Sequence, residues 1–450
     1  MGKTHVLMVP IPAPGHVIPL LELATVLAKH GIQVTFVNID IIHGRIVDTS
    51  SPLIRLVSIP NGLESHEWLV PGRSLEVWYD SIPRKIEQMI KENGASEEDE
   101  KFSCVISDQS FGRIQQVAKN MGIGSVAFLP AAAASLVLGF NIPKMIEDGI
   151  VDGEGTPLKH QTIQFAPAMP KMVSSDFVWA NTSSVSRKNV IFNMMTQNNE
   201  AIKSADWIIC NSTHDLEPGA FYLAPQIVPI GPLLASNEPG NSAGHFLEHD
   251  STCLEWLDHQ PVHSVIYAAF GSTTIFSPCQ FQELALGLEL TGRPFLWVTR
   301  AENSTTGAGN QAFPEGFLER ISSRGQITHR APQQKVLSHP SVACFLSHCG
   351  WNSTVESVSN GVPMLCLPYF ADQFTNRSYI TDIWKVGLPF ARDDGGIIRK
   401  EEIKNKVDQV IEEDTFKQRA LQLQKTIHAS ACEGGDSYKN LMNFVKWLHG

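Results

Sequence analysis

The chain has 450 residues, of which 43% are hydrophobic and 18% are charged, and this composition predicts a globular protein of two or three domains. Its 35 Lys and Arg residues and 46 Asp and Glu residues give a formal net charge of −11. This charge argues against a nucleic-acid-binding protein, because such a protein needs a basic surface to neutralise phosphates.

The sequence shows no targeting segment and no membrane span. Val6–Pro10 is too short for the apolar part of a signal peptide, and no run of about 18 apolar residues occurs. The eight cysteines contain no C-x-x-C pair, and several lie in apolar runs, as buried reduced thiols do. We therefore expect a cytoplasmic, monomeric protein.

Short apolar runs alternate with longer helical patterns in the first half, which is typical of βαβ units and a parallel sheet. The first helix is predicted from about Val17 to Lys29, because apolar residues recur at helical spacing and Gly31 follows. The strands predicted in this half are His5–Pro10, Gln33–Asn38, Ile54–Ile59, Cys104–Ser107, Ser125–Phe128 and Trp207–Asn211.

His16 follows the first predicted strand, and Asp108 follows the strand at Cys104–Ser107. Both are therefore expected at the carboxyl edge of one parallel sheet, where ligands bind. Alone, each residue is better explained as structural, His16 by its place near a helix start and Asp108 as a cap. Together they suit general-base chemistry, because a histidine can take a hydroxyl proton at neutral pH and an aspartate on its other nitrogen stabilises the imidazolium. We predict that His16 and Asp108 are catalytic.

Residues 235–252 are predicted to form a linker, because Ala235–Gly244 is rich in Asn, Gly, Pro and Ser. The α/β alternation restarts beyond it. We predict an N-terminal domain over residues 1–234 and a C-terminal domain over 253–450, whose last helix packs back on the N-terminal domain. The strands predicted in the second half are Val265–Phe270, Phe295–Val298, Ala343–Leu346 and Met364–Leu367.

A strand, a glycine turn and a helix start follow one another from Ala343 to Glu356. The free amides and positive end of the helix dipole favour a phosphate, and His348, Asn352 and Ser353 can add hydrogen bonds. The Glu356 carboxylate fits such a site if it accepts from the hydroxyls of a ribose. Asp372 and Gln373 follow the next strand, where a carboxylate and an amide suit a polyhydroxylated sugar. No His, Asp or Glu cluster has metal-ligand spacing, so we expect no metal.

This stretch resembles the signature box of plant secondary-product glycosyltransferases that use UDP-sugars. The matching residues are Ala331-Pro332-Gln333, His348-Cys349-Gly350-Trp351-Asn352-Ser353, Glu356 and Asp372-Gln373. The resemblance covers nearly the whole chain and includes Pro14-Gly15-His16, Asp108, Phe270-Gly271-Ser272 and Phe295-Leu296-Trp297-Val298.

The resemblance implies a GT-B fold, in which two Rossmann-like α/β domains face a central crevice, with the donor in the C-terminal half and the acceptor in the N-terminal half. It implies UDP-glucose as co-substrate, and we expect no resident cofactor. By this resemblance, the nucleoside is bound by Gln333 and Glu356. The diphosphate is bound by Ser272, His348, Asn352 and Ser353. The sugar is bound by Trp351, Asp372 and Gln373.

The chain departs from the family pattern at two positions. The box normally begins with a Trp that stacks on uracil, whereas this chain has Arg330 before Ala331. A planar guanidinium can also stack on a base; alternatively, Arg330 faces solvent and leaves the base poorly held. Arg113 stands where an aromatic residue is common in relatives.

We therefore expect an inverting glucosyltransferase that acts on a hydroxyl, or an N, S or C nucleophile, of a small lipophilic plant metabolite of phenolic or terpenoid type. The alternatives are a transferase for another UDP-sugar, a GT-B sugar-nucleotide epimerase and a non-catalytic binding relative. The pair His16 and Asp108 argues against the binding relative, which needs no base. The acceptor pocket is expected in N-terminal loops that include Phe111, Ala131–Ala134 and Trp179.

Overall fold

The computed structural model describes residues 4–44, 46, 51–63, 73–94, 101–182, 184–234, 252–299 and 312–450. It divides into two units. The first unit comprises Met1–Leu247, Phe370–Thr375 and Ala429–Gly450, and the second comprises Glu248–Tyr369 and Asn376–His428. Except for Thr252, the predicted linker at 235–252 lies outside the described residues.

The strands of the first unit are largely buried, which explains their apolar sequences. They are β1 (His5–Val9), β2 (Gln33–Ile39), β3 (Ile54–Ile59), β4 (Cys104–Asp108), β5 (Gly124–Leu129), β6 (Thr162–Ile163), β7 (Met172–Val173), β8 (Trp207–Cys210) and β9 (Ile227–Pro229). Within the described ranges, seven of them form a parallel sheet in the order β3-β2-β1-β4-β5-β8-β9, and β6 pairs antiparallel with β7.

The helices of the first half cover this sheet. They are α1 (Pro14–Lys29), α2 (Asp40–His43), α3 (Arg73–Asn93), α4 (Gly112–Asn120), α5 (Ala133–Phe140), α6 (Ile142–Glu147), α7 (Val185–Lys203) and α8 (Pro218–Leu223). The first helix begins three residues before the predicted start at Val17. Pro14 explains the difference, because proline is well accommodated in the first turn of a helix. His16 therefore lies in that first turn.

The second unit is also built on a parallel sheet. Its strands are β10 (Val265–Ala269), β11 (Phe295–Val298), β12 (Gly325–Thr328), β13 (Val342–Ser347), β14 (Met364–Cys366) and β15 (Gly387–Pro389). Among the described residues they lie in the order β12-β11-β10-β13-β14-β15. The helices of the second half of the chain are α9 (Thr252–Asp258), α10 (Pro278–Leu290), α11 (Phe317–Ile321), α12 (Gln333–Leu337), α13 (Trp351–Ser359), α14 (Gln373–Ser378), α15 (Lys400–Glu412), α16 (Asp414–Ala431) and α17 (Asp436–His449).

The last helix, α17, belongs to the first unit. The rings of Phe444 and Trp447 pack against Trp207 on β8, with centroids 5.5 and 6.0 Å away. The side chain of Asn440 donates a hydrogen bond to the carbonyl of Pro229 on β9 at 2.9 Å. These contacts bury one face of α17 against the sheet formed by the first half of the chain.

In each sheet, two neighbouring strands are followed by connections that run in opposite directions. In the first sheet, the chain leaves β1 towards β2 on one side and leaves β4 towards β5 on the other. In the second sheet, β10 and β13 have the same relationship. Such a switch point opens a crevice at the carboxyl ends of the strands, where ligands of parallel sheets bind.

The predicted α/β alternation is confirmed, but four short edge or hairpin strands were missed in addition to β9. They are β6, β7, β12 and β15. β6 and β7 have only two residues each, and β12 (Gly-Gln-Ile-Thr) and β15 (Gly-Leu-Pro) lack the continuous apolar run that identified the equally short β11. In the parts of the chain that the structure describes, no helix is both long enough and apolar enough to cross a bilayer.

All eight cysteines lie in described segments, and all are free thiols. Six are buried, as predicted, whereas Cys279 and Cys432 are exposed. Burial raises the pKa of the Cys344 thiol to about 12, so this thiol is protonated at neutral pH.

Candidate active site

His16 and Asp108 lie side by side at the carboxyl edge of the first sheet. The Nδ1 atom of His16 is 2.6 Å from Oδ2 of Asp108. Asp108 ends β4 and is 1% exposed, whereas the imidazole, in the first turn of α1, is 32% exposed. Because an ionised carboxylate can only accept hydrogen bonds, Nδ1 carries the proton, and Nε2 of a neutral His16 has a free lone pair.

The pKa of His16 is raised above its ordinary value of 6.5. Burial lowers this pKa, but the charge of Asp108, its hydrogen bond and the charge of Asp372 together raise it by more. The imidazole is therefore a stronger base than a free histidine.

Most of the side chains expected to line an acceptor pocket are buried, and only Ala131 among them is half-buried. Phe111 is 1% exposed and Trp179 is fully buried. The indole Nε1 of Trp179 donates to the carbonyl of Gly155 at 2.8 Å, and its ring packs between Phe177 and Phe192. Ala132, Ala133 and Ala134 are likewise fully buried.

In the second unit, a tight turn joins β13 to α13. Cys349 adopts a left-handed backbone conformation with φ of +64°, and its carbonyl accepts a hydrogen bond from Asn376 at 2.9 Å. Gly350 follows as the residue before the helix. A Cβ atom on Gly350 would lie 2.5 Å from Nε2 of His348, so only glycine allows the imidazole to lie over this turn. The amides of α13 consequently begin beside His348.

His348 is neutral at pH 7. Burial lowers its pKa to about 4, although a hydrogen bond with the backbone of Ala269 acts in the opposite direction. Its Nδ1 atom is buried and has no hydrogen-bond partner within the described residues. Any interaction of His348 with an anion therefore begins from an uncharged ring.

Gln333, Ser353 and Glu356 form one hydrogen-bonded cluster. The side-chain Nε2 of Gln333 donates to Oε2 of Glu356 at 2.6 Å and to Oγ of Ser353 at 2.8 Å. The hydroxyl of Tyr267, on β10, donates to Oε1 of Gln333 at 3.2 Å. Burial raises the pKa of Glu356, and hydrogen bonds from Gln333 and Gln334 partly oppose this shift. Tyr267 was missed by the sequence analysis, because nothing in its local pattern distinguishes it from a core residue.

The remaining residues of the predicted donor site differ in exposure. Ser272 and Arg330 are exposed, whereas Ala331 and Asn352 are half-buried. Trp351 is only 3% exposed, and its ring centroid lies 6.3 Å from that of Trp384. The indole predicted to meet the sugar is thus largely enclosed by protein.

Asp372 and Gln373 lie in the segment Phe370–Thr375, which belongs to the first unit although we had placed it in the C-terminal domain. The side chain of Asn181 makes two hydrogen bonds to the backbone of Ala371, one to its carbonyl and one from its amide, both at 2.8 Å. Ala371 has a φ of +56°. Gln373 accepts a hydrogen bond from the amide of Phe370 at 3.0 Å.

The arrangement offers proton transfer and anion binding. Within the described ranges, no group of three or more His, Cys, Asp or Glu side chains could hold a metal ion. The structure brings together His16 with Asp108, and Gln333 with Ser353 and Glu356.

Comparison with known proteins gives a consistent result. The model of the family described as UDP-glucoronosyl and UDP-glucosyl transferase matches residues 5–437. The chain is 44% identical to UDP-glycosyltransferase 83A1 of Arabidopsis thaliana, over 100% of this chain and 97% of that protein. It is 30% identical to linamarin synthase 1 of Manihot esculenta, over 98% and 96% of the two chains.

Solved structures share the fold. UGT2 of Phytolacca americana, complexed with UDP-2fluoro-glucose and pterostilbene, has a TM-score of 0.81 at 27% identity and covers 99% of both chains. Os79 of O. sativa in complex with UDP has a TM-score of 0.82 at 24% identity, covering 98% of this chain and 100% of Os79. The predicted GT-B fold is confirmed by these two likenesses and by the two parallel-sheet units.

Proposed function

The chain belongs to the UDP-glucoronosyl and UDP-glucosyl transferase family, and from this premise we propose that it transfers glucose from UDP-glucose to a small lipophilic metabolite. The acceptor atom is the hydroxyl oxygen of a phenolic or terpenoid compound, or else a nitrogen, sulfur or carbon nucleophile. The observation that carries the proposal is the 2.6 Å hydrogen bond between His16 and Asp108 at the sheet edge.

In this reaction His16 is the general base. Its Nε2 takes the proton of the acceptor hydroxyl, while the oxygen attacks the anomeric carbon of glucose. The bond between that carbon and the phosphate oxygen breaks, and UDP leaves with the bonding electrons. Attack opposite the leaving group inverts the configuration. Asp108 stabilises the imidazolium that results, because its carboxylate already accepts from Nδ1.

The donor is assigned to the residues that the family resemblance names. Gln333 and Glu356 bind the nucleoside, and the buried carboxylate of Glu356 accepts hydrogen bonds from the ribose hydroxyls. The amides at the start of α13 stabilise the charge that develops on the leaving diphosphate, with Ser272, His348, Asn352 and Ser353 beside them. Trp351, Asp372 and Gln373 bind the sugar, and no resident metal or cofactor takes part.

Two related proteins support glucose as the sugar and a small molecule as acceptor. The name of one relative, 31% identical, is 7-deoxyloganetic acid glucosyltransferase of Catharanthus roseus. The structure of P. americana UGT2 holds a fluorinated UDP-glucose together with pterostilbene. The second candidate function is transfer from another UDP-sugar, which the exposed Arg330 in place of an aromatic residue favours.

The test is incubation of the purified chain with UDP-glucose, and separately with other UDP-sugars, against a panel of phenols and terpenoid alcohols. We expect UDP release and a product heavier than the acceptor by one hexose. His16→Ala is the control for the base, and His30→Ala, exposed at the other end of the same helix, is its match. Binding of UDP-glucose without transfer to any acceptor would instead indicate a binding protein.

A further inference from the structure

We propose that Asn198 is a positioning residue for His16 and Asp108, because it holds the turn that follows Asp108. The inference rests on the proposed function and adds to it a residue of α7. Asn198 is 2% exposed, and its side chain points at the segment that follows β4.

The Asn198 amide makes three hydrogen bonds. Its Nδ2 donates to the carbonyl of Ser110 at 2.7 Å. Its Oδ1 accepts from the amide of Gly112 at 3.0 Å and from the hydroxyl of Tyr79, on α3, at 3.0 Å. An asparagine side chain has two donor and two acceptor positions, so three of its four are filled, and the orientation of the amide is fixed.

The backbone is adapted to this contact. A Cβ atom on Gly112 would lie only 2.6 Å from Oδ1 of Asn198. The turn and α7 can approach this closely because Gly112 has no side chain. Any residue other than glycine would push the turn away from Asn198.

The hydrogen bonds continue from Asn198 to the base. Ser110 is held at its carbonyl by Asn198, and its own amide donates to Oδ1 of Asp108 at 2.9 Å. The other carboxylate oxygen of Asp108 lies 2.6 Å from Nδ1 of His16. The position of the carboxylate is therefore set on one side by His16 and on the other by the turn that Asn198 holds.

Loss of the Asn198 amide frees Ser110, and the Asp108 carboxylate then loses its alignment with His16. Two effects follow. Turnover falls, because the imidazole and its partner no longer share one geometry. The pKa of His16 also falls, because the interaction with Asp108 that raises it weakens. The charge of Asp372 raises this pKa as well, and the substitution leaves that residue in place.

The experiment compares Asn198→Ala with Asn199→Ala. Asn199 is the next residue of α7, is 5% exposed, and donates to the carbonyl of Gly139 on α5 at 2.8 Å, away from the Asp108 turn. We expect kcat to fall about tenfold in Asn198→Ala, with an unchanged KM for UDP-glucose and the acid limb of the pH–rate profile moved to lower pH. Asn199→Ala should lose thermal stability yet keep the wild-type kcat and acid limb.

A double-mutant cycle tests the route of the effect. In an Asp108→Ala background, Asn198→Ala should cause no further loss of kcat; a second tenfold loss overturns the proposal. Where His16→Ala abolishes turnover, equal kcat and equal acid limbs in Asn198→Ala and Asn199→Ala also overturn it. If Asn198→Ala does not fold, Asn198→Ser, which keeps one polar group and leaves room for water, is judged by the same criteria.

NMR titration of the His16 ring separates this inference from the proposed function. A lower pKa of His16 in Asn198→Ala than in the wild type supports the positioning role whether or not His16 is the base; an unchanged pKa overturns it. Wild-type turnover in His16→Ala, by contrast, removes His16 from the mechanism and leaves the titration result unaffected.

Discussion

The imidazole of His16 and the carboxylate of Asp108 meet through strand pairing, because β1 lies next to β4 in the first sheet. The two residues are 92 positions apart in the chain. Their contact joins the first turn of a helix to the end of a neighbouring strand, and it leaves Nε2 of the ring free to accept a proton.

His16→Ala should lower kcat by about 10²–10⁴-fold on alcohol acceptors, because the acceptor hydroxyl loses its general base. UDP binding should be nearly unchanged, since His16 is assigned no contact with the nucleotide. Turnover is measured by UDP release and binding by calorimetry, with His30→Ala as the control. Turnover within about threefold of wild type would exclude His16 as the base.

Asp108→Asn should move the acid limb of the pH–rate profile to lower pH. The base acts only when neutral, so the limb follows the pKa of His16, which the Asp108 charge raises above 6.5. The substitution should also lower the stability of the fold, and most at acid pH. A raised pKa of His16 stabilises the folded state below pH 6.5, and this stabilisation is lost as the pH rises through the raised pKa. The melting temperature of the variant should therefore drop more at about pH 5.5 than at about pH 9. An acid limb that stays in place would contradict the pairing.

Glu356→Ala and Asp372→Ala should affect the two donor ligands differently. Loss of the Glu356 carboxylate should weaken the binding of UDP and of UDP-glucose equally, by roughly 1–3 kcal/mol, because both ligands contain the ribose. Asp372→Ala should weaken the binding of UDP-glucose and leave the binding of UDP unchanged, since only the sugar is assigned to Asp372. Calorimetry with both ligands measures this, with the exposed Asp382→Ala as control. Equal losses for UDP and UDP-glucose in Asp372→Ala would remove Asp372 from the sugar site.

Arg330→Trp should lower the KM for UDP-glucose and leave the acceptor KM unchanged. An indole offers more apolar area to the uracil than a guanidinium does, and it has one donor to satisfy where a guanidinium has five. Arg330→Ala is the matched variant, and it should raise the KM for UDP-glucose if the guanidinium stacks on the base. Weaker donor binding in Arg330→Trp would indicate a specific contact of Arg330 and a different donor sugar nucleotide.

Glu217→Ala should destabilise the first unit. The buried carboxylate of Glu217 accepts from the amides of Ala133 and Ala134, at 2.9 and 3.1 Å, and from the hydroxyl of Ser212 at 2.7 Å. Each donor left without a partner costs about 1–3 kcal/mol, so the melting temperature should fall by at least about 5 °C. The exposed Glu200→Ala is the control. A melting temperature equal to that of this control would show that solvent replaces the carboxylate.

The sequence predicted those parts of the fold that depend on neighbouring residues. The strand at Ile54–Ile59 was predicted with its observed limits, and that at Gln33–Asn38 to within one residue, because both are rich in β-branched residues and have an ordinary strand length. β12 and β15 were not, since each begins with Gly and neither is an apolar run, unlike the equally short Phe295–Val298.

The candidate site likewise contains residues that the sequence could predict and contacts that it could not. His16, Asp108 and the residues from His348 to Glu356 could be found, because each follows a predicted strand at a short distance. The contacts of Asn181 with Ala371, and of Tyr267 with Gln333, span 190 and 66 positions. Such pairs form only when the chain has folded, and neither residue belongs to a recognisable motif. The enclosure of Trp351 was equally invisible, because an aromatic residue at a helix start is compatible with a ligand contact and with the core.

The uneven burial of the cysteines makes the molecule suitable for site-selective labelling without any prior substitution. Cys279 lies in the second unit and Cys432 in the first, and these are the two thiols that solvent reaches among eight. Maleimide dyes should react with these two and spare the six buried thiols under native conditions. Dye fluorescence at Cys279 and at Cys432 would then report separately on the surroundings of α10 and of the turn after α16 when UDP-glucose is added.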